Sequence, residues 1–211
     1  MTDPRAIIEL VTFAEGLKNE LRHSTTSTGR HESVAEHCWM LCLMAMAVFD
    51  AVELEVDRMK VLKMLIVHDL LEIITGDIPV FDKLEMAEQA AADEEAALEE
   101  ITAKYHMGTE IAALCREFEA TKTNEAKLAR AIDKAEALIQ HNNAPMDSWD
   151  QNDYDYQTNF GHPNRHYFDV DPFLQALRQQ IDADTMAKID AAGRLDQANT
   201  DAVNAYREGK R

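Results

Sequence analysis

A histidine and an aspartate adjacent in sequence, His68 and Asp69, lie inside an apolar segment spanning residues 61–74. An imidazole and a carboxylate in such a setting cost free energy unless each has a partner. Candidate partners stand on helical patterns either side: Glu36 and His37 upstream, and Asp133 within the periodic stretch 128–139. On a helix advancing about 100° per residue, His68, Asp69 and Glu72 fall in one sector and face a single point. Two imidazoles and two carboxylates suit one divalent ion such as Mn, Fe, Co or Zn, with Mg as the oxygen-preferring alternative. The arrangement reads as a split metal site built from facing helices.

The other polar candidates each have a plainer reading as well. Glu36 occupies the third helical position after Ser33, where a carboxylate caps the backbone. Asp77, just beyond Gly76, is a turn residue or a site residue. His31 rivals the metal ligands but stands in the segment before Ser33. Arg22 and Arg30 flank a polar run and could hold an anion, although singly each reads as a surface charge. His162, Arg165 and His166, in an aromatic segment, could close over a site. Nothing matches a phosphate-cradling glycine loop or a Ser-His-Asp order with a nucleophile elbow.

These residues need rigid elements to hold them, and the sequence predicts helices almost throughout. Apolar residues recur at helical spacing over 5–21, with Ile7, Ile8, Val11, Phe13 and Leu17 as buried candidates. The hydroxyl-rich stretch 22–31 reads as a loop. Ser33 and Glu36 have capping-box spacing, so a second helix should run from 33 to about 49. A third, over 57–74, is apolar on almost every side and should be central, with Gly76 ending it. Further helices are predicted over 81–105, 108–122 and 124–140, the first carrying seven acidic residues from Glu85 to Glu100 that read as a solvated face. Residues 142–169 lose periodicity but keep six aromatics, the pattern of an anchored long loop. Asp171-Pro172 starts another helix, and a last one covers 197–208.

Composition sets the outer limits. Seven glycines and five prolines in 211 residues, with 46% hydrophobic residues, favour an all-α chain folded as a single domain over 1–211. A net charge of −18 argues against a nucleic-acid polymer or an anionic membrane as partner. A small anionic ligand stays open, because a bound cation reverses the local field. The N-terminus lacks a signal pattern, and the longest nearly apolar run, 38–49, is too short to span a bilayer. Cys38, Cys42 and Cys115 make an odd count without CxxC spacing and read as buried thiols. A soluble cytoplasmic protein is expected.

The order His37, His68-Asp69, Asp133 resembles the H...HD...D signature of the HD-domain metal-dependent phosphohydrolases. Glu32-Ser33-Val34-Ala35-Glu36-His37, the run from His68-Asp69 through Glu72 to Gly76-Asp77, and Asp133-Lys134-Ala135-Glu136 are similar to the 5′-deoxynucleotidase branch, over about residues 17–140. The resemblance implies an HD-domain helical bundle that hydrolyses nucleoside 5′-monophosphates, and a homodimer. By the same resemblance His37, His68, Asp69 and Asp133 would ligate the metal, and Glu72 would be the general acid/base, with Asp77 beside it in the catalytic set. Arg22 would contact the phosphate and Asp77 the sugar, with His23 and Arg30 completing the substrate-binding residues. One position departs from the pattern. The family's deoxynucleotidases typically carry tryptophan directly after the arginine matching Arg22, and here that residue is His23, which changes the wall against the sugar. Other small phosphoesters are the alternative substrates. A ligand-binding module that keeps its metal only for stability is the other class, and the presence of Glu72 and Asp77 favours the enzyme.

Overall fold

The computed structural model describes residues 3–78 and 87–210. The first helix, α1 (Pro4–Ala14), is capped by Asp3 and followed by a 3-10 turn over Glu15–Lys18. Leu17 is buried and Phe13 stacks on Tyr105 at 4.4 Å. Ile7, Ile8 and Val11 are exposed, so the helical period is right but most of its apolar stripe faces out.

The hydroxyl-rich stretch read as a loop forms an antiparallel hairpin, β1 (Leu21–Thr25) with β2 (His31–Ser33), pairing Leu21 with Ser33 and Thr25 with His31. Its turn closes through Thr26 N–H to Arg30 O at 2.7 Å, with Gly29 at φ +81°. The Gln140 side-chain amide donates to the Thr25 carbonyl at 2.6 Å and docks the hairpin on the helix that carries Asp133. Apart from this two-stranded ribbon, the regular elements of the described residues are all helices, as predicted.

Helix α2 (Val34–Val48) starts where its capping box predicts: Ser33 accepts from Glu36 N–H, and Glu36 accepts from Ser33 N–H at 3.0 Å. Such a cap stabilises a helix by about 1 kcal/mol. Helix α3 (Arg58–Val67) is capped by Asp57 but does not continue to residue 74. The Leu65 carbonyl accepts from His68 Nδ1 at 3.2 Å, and the Val67 carbonyl accepts from Leu70 N–H and from the Cys115 thiol. Side-chain donors thus take carbonyls that the next helical turn would have used. The chain passes through a tight turn into the short α4 (Glu72–Thr75), and Gly76 at φ +78° ends it. Nor is α3 covered on all sides, since Met59 and Ile66 are exposed.

Then follow α5 (Ala87–Lys104), α6 (Gly108–Ala120) and α7 (Asn124–Asn143). The predicted start of α5 at residue 81 lies outside the described residues. The expected long loop instead holds α8 (Gln151–Thr158), set by a reciprocal cap between Asp150 and Asp153, and 3-10 turns over Met146–Ser148 and Pro163–Phe168. Helix α9 (Pro172–Ala191) begins at the predicted Asp171-Pro172, and α10 (Thr200–Gly209) closes the described chain. The main core joins α2, α3, α6, α7 and α9 through Leu41, Met64, Leu65, Phe118, Ile132 and Leu174. No helix of the described residues is long and apolar enough to cross a membrane.

The α5–α6 corner is tight enough to test. A Cβ on Gly108 would lie 2.3 Å from the Ile101 carbonyl oxygen and 2.8 Å from Thr102 Cα, both backbone atoms. Gly108→Ala should cost about 2 kcal/mol, lowering Tm by roughly 4–8 °C in a thermal scan. An unchanged Tm would show that this corner yields freely.

Candidate metal centre

His37 lies in the first turn of α2, just past the capping box, and is fully buried. His68 and Asp69 sit where α3 gives way to the turn, and Asp133 faces inward from the middle of α7. One ligand atom each from His37, His68 and Asp69 fall within 4.8 Å of one another. Asp133 Oδ1 stands 3.4 Å from His37 Nε2, Asp69 Oδ2 3.8 Å from the same nitrogen, and Asp69 Oδ1 3.1 Å from His68 Nε2. The tightened turn after Val67 therefore still brings together residues predicted on a continuous helix.

The donor set fits a divalent transition ion by a further observation. His37 Nε2 is buried and makes no hydrogen bond. The other nitrogen of each ring is held in place: His37 Nδ1 against the Glu136 carboxylate at 2.6 Å, and His68 Nδ1 on the Leu65 carbonyl. Such outer partners fix the tautomer and aim Nε2 at a metal. Burial and Arg22 push the His37 pKa down, but the Asp133 and Glu136 carboxylates beside the ring prevail and raise it to about 9. Burial likewise opposes ionisation of Asp133, yet Lys134, His37 and His68 hold its carboxyl well below the usual range. A metal and a proton compete for His37, so metal affinity should fall as pH falls.

Above this cluster opens a cavity of about 180 Å³ whose walls include Arg22, Asp69, Glu72, Asp77, Arg130 and Lys134. Arg22 reaches it from β1, held between Glu32 at 3.5 Å and Glu136 at 3.6 Å. Burial disfavours its charge, but Glu136, Glu32 and Asp69 outweigh that and raise its pKa. Asp77 is positioned by the glycine turn, its N–H donating to Glu20 at 3.1 Å. Burial pushes the Asp77 carboxyl up, against the opposing pull of Arg22. His23 lines the same cavity, 3.1 Å from Asp153.

The other sequence candidates lie elsewhere. Arg30 does not line this cavity; it makes a two-pronged pair with Glu36 on the exposed side of α2, at 2.5 and 2.9 Å. Glu36 is the helix cap. His31 is exposed, its Nδ1 donating to the Arg22 carbonyl. Arg165 pairs with Asp182, and His162 lines a separate small cavity beside Tyr156. Sequence reasoning assigned nothing to Glu32, Glu136, Arg130, Lys134, His141 or Asp153. Lys134 Nζ is 3.0 Å from Asp133 Oδ2, and Arg130 stacks 3.9 Å over Phe118, whose other neighbour is His68. A helix-face plot of α7 from Asp133 marks Glu136 and Arg130 one turn away. Nothing local marks which carboxylate is buried.

Histidines and aspartates of ligand type gathered from separate helices, in described residues whose regular elements are almost all helical, place the chain among all-α proteins with a candidate metal centre. Within that class this chain belongs to the HD-domain family, whose model matches residues 14–170. It is 38% identical over 116 residues to the 5′-deoxynucleotidase HDDC2 of Dictyostelium discoideum, a stretch covering 52% of this chain and 60% of that one. To the protein of the same name from Danio rerio it is 34% identical over 111 residues, covering 52% and 54%. The likeness thus spans little more than half the length of these curated relatives. The crystal structure of a predicted metal-dependent phosphohydrolase from Magnetospirillum magnetotacticum MS-1 shares the fold, with TM-score 0.64 at 24% identity over 92% of this chain and 97% of that one.

Because Glu136 both orients His37 and neutralises Arg22, its charge matters more than its shape. Glu136→Gln should keep the fold and weaken metal affinity by about 10- to 100-fold in a chelator competition. Unaltered affinity would remove Glu136 from the metal's support.

Proposed function

We propose that this chain is a metal-dependent phosphomonoester hydrolase acting on nucleoside 5′-monophosphates. The observation that carries the reading is the clustering of His37, His68, Asp69 and Asp133 beside a cavity whose wall also presents Glu72, Asp77 and the partly buried Arg22. The 5′-deoxynucleotidase relatives support the substrate class. A chain of net charge −18 with a cavity of about 180 Å³ fits a small ester better than a polymer.

A divalent ion held by these four ligands would supply Lewis acidity toward the phosphate and a nucleophile at neutral pH. Arg22, fixed between two carboxylates, presents its guanidinium to phosphate oxygens with little loss of side-chain freedom. Lys134 and Arg130 add positive charge to the cavity wall. Glu72 takes the proton of the attacking water as the new P–O bond forms. The ester P–O bond breaks, the leaving oxygen gains a proton, and nucleoside and phosphate are released. Asp77 stands where a sugar hydroxyl would be read. His23 offers an imidazole already engaged by Asp153 in place of a broad apolar wall, so ribo- and deoxyribonucleotides should be turned over within about tenfold in kcat/KM.

Two finer readings accompany the function. The exposed residues Trp39, Leu43 and Met46, at 63%, 48% and 65%, recur at i, i+4 and i+7 along one face of α2. We take this stripe as the contact of a homodimer. Trp39→Glu should shift light scattering from dimer to monomer, and a monomeric wild type would remove the reading. Cys38, Cys42 and Cys115 are all free thiols, consistent with a reducing, cytoplasmic setting.

The decisive experiment is a phosphate-release screen of metal-loaded protein against paired ribo- and deoxynucleoside monophosphates and simpler esters. Glu72→Ala should retain metal and lose about 10²-fold or more in rate. Asp69→Ala should lose the metal itself. Variants alike in both metal content and rate would overturn this division of roles, and no phosphate from any ester would overturn the hydrolase.

A further inference from the structure

The same cavity holds a second set of ligand-type side chains, remote from the first. His23 comes from β1, His141 from α7 and Asp153 from α8, and one donor atom of each lies within 4.8 Å of the others. Both Nε2 atoms stand 3.1 Å from Asp153 Oδ1. Asp153 is buried, and its other oxygen is fixed by Asp150 N–H at 2.9 Å. All three residues line the cavity wall.

The protonation pattern distinguishes this cluster from an ordinary hydrogen-bonded trio. His141 Nδ1 is 2.8 Å from the Ala137 carbonyl, which can only accept, so that nitrogen carries a proton. A neutral His141 therefore points the lone pair of Nε2 at a carboxylate oxygen, which is repulsive. A cation bound by both groups would relieve that repulsion. His68 in the metal centre is tethered in the same way, with Nδ1 on the Leu65 carbonyl and Nε2 left for an ion. Backbone tethering of the far nitrogen is the usual support of a metal-binding histidine.

We infer that His23, His141 and Asp153 form a second divalent-cation site, for an ion of the zinc or cobalt kind. Two imidazoles and one carboxylate match such ions, and three protein ligands leave a position open toward the cavity. Asp133 and His141 are eight residues apart on α7, about 12 Å at helical rise. That is too far for the bridged pair of a two-metal centre, whose ions sit about 4 Å apart. The second ion would instead face the cavity's other end and take an anionic or electron-rich group of whatever ligand occupies it. The inference does not depend on the hydrolase reading, because ions can be counted without turnover.

The test is equilibrium dialysis of the full, chelator-stripped chain against zinc or cobalt, with bound metal counted by mass spectrometry. Wild type should take up two ions per chain. His141→Ala and Asp153→Asn should each take up one, and Asp69→Ala should keep the other. Asn at 153 retains the helix-capping oxygen, and the surviving first ion shows that the variant is folded. His23→Gln, on the hairpin, provides a third variant that should also bind one. A single ion in the wild type, or two in His141→Ala and Asp153→Asn, would overturn the site.

Discussion

The hydrogen bond between His37 Nδ1 and Glu136, 2.6 Å long and shut away from solvent, is the contact around which the rest is arranged. A carboxylate at that depth requires compensation, and it receives two partners, the imidazole and the Arg22 guanidinium. Arg22 in turn lies against Glu32, so the hairpin, α2 and α7 are joined through buried charge as well as through apolar packing. Removing any one member would strand the others, which is why the hairpin must dock where it does.

The same requirement shapes the cavity. The chain as a whole is strongly acidic, yet Arg22, Arg130 and Lys134 converge on one chamber, each beside a carboxylate. Asp69 and Asp133 are kept ionised by histidines and Lys134 despite burial. The chamber wall carries six carboxylates against three arginine or lysine side chains, so a cation added at the ligand cluster would offset part of that negative charge and favour an anion. Placement of the cation, more than the overall charge, decides what the protein can attract.

Helical packing supplies the rigidity this needs. Phe118 lies between His68 and Arg130, and the Cys115 thiol occupies the Val67 carbonyl at the point where α3 ends. Helix α6 therefore carries none of the candidate ligands but packs against the His68 ring and the end of α3. The capping box at Ser33 does the same for His37 by fixing where α2 begins.

How much of this was legible in the sequence depends on whether the signal was local. The largely helical character, the Ser33 and Asp171 helix starts and the Gly76 stop follow from propensity, caps and periodicity, which nearby residues determine. The hairpin at 21–33 did not show, because its serines and threonines read equally as loop, and its strand character comes from docking on α7 through Gln140. Helix α8 escaped notice because Gln151-Asn152-Asp153-Tyr154 has no apolar period, only a reciprocal cap. The break after Val67 and the outward stripes of α1 and α2 likewise depend on which neighbour lies opposite. Above all, the roles of Glu136, Glu32 and Asp153 required the tertiary structure. A buried carboxylate is tolerated only by partners, and Glu136 finds its imidazole 99 residues away along the chain. Sequence by itself determined which residues could bind a metal; only the folded chain decided which charges surround them, because burial and pairing are properties of three-dimensional neighbours.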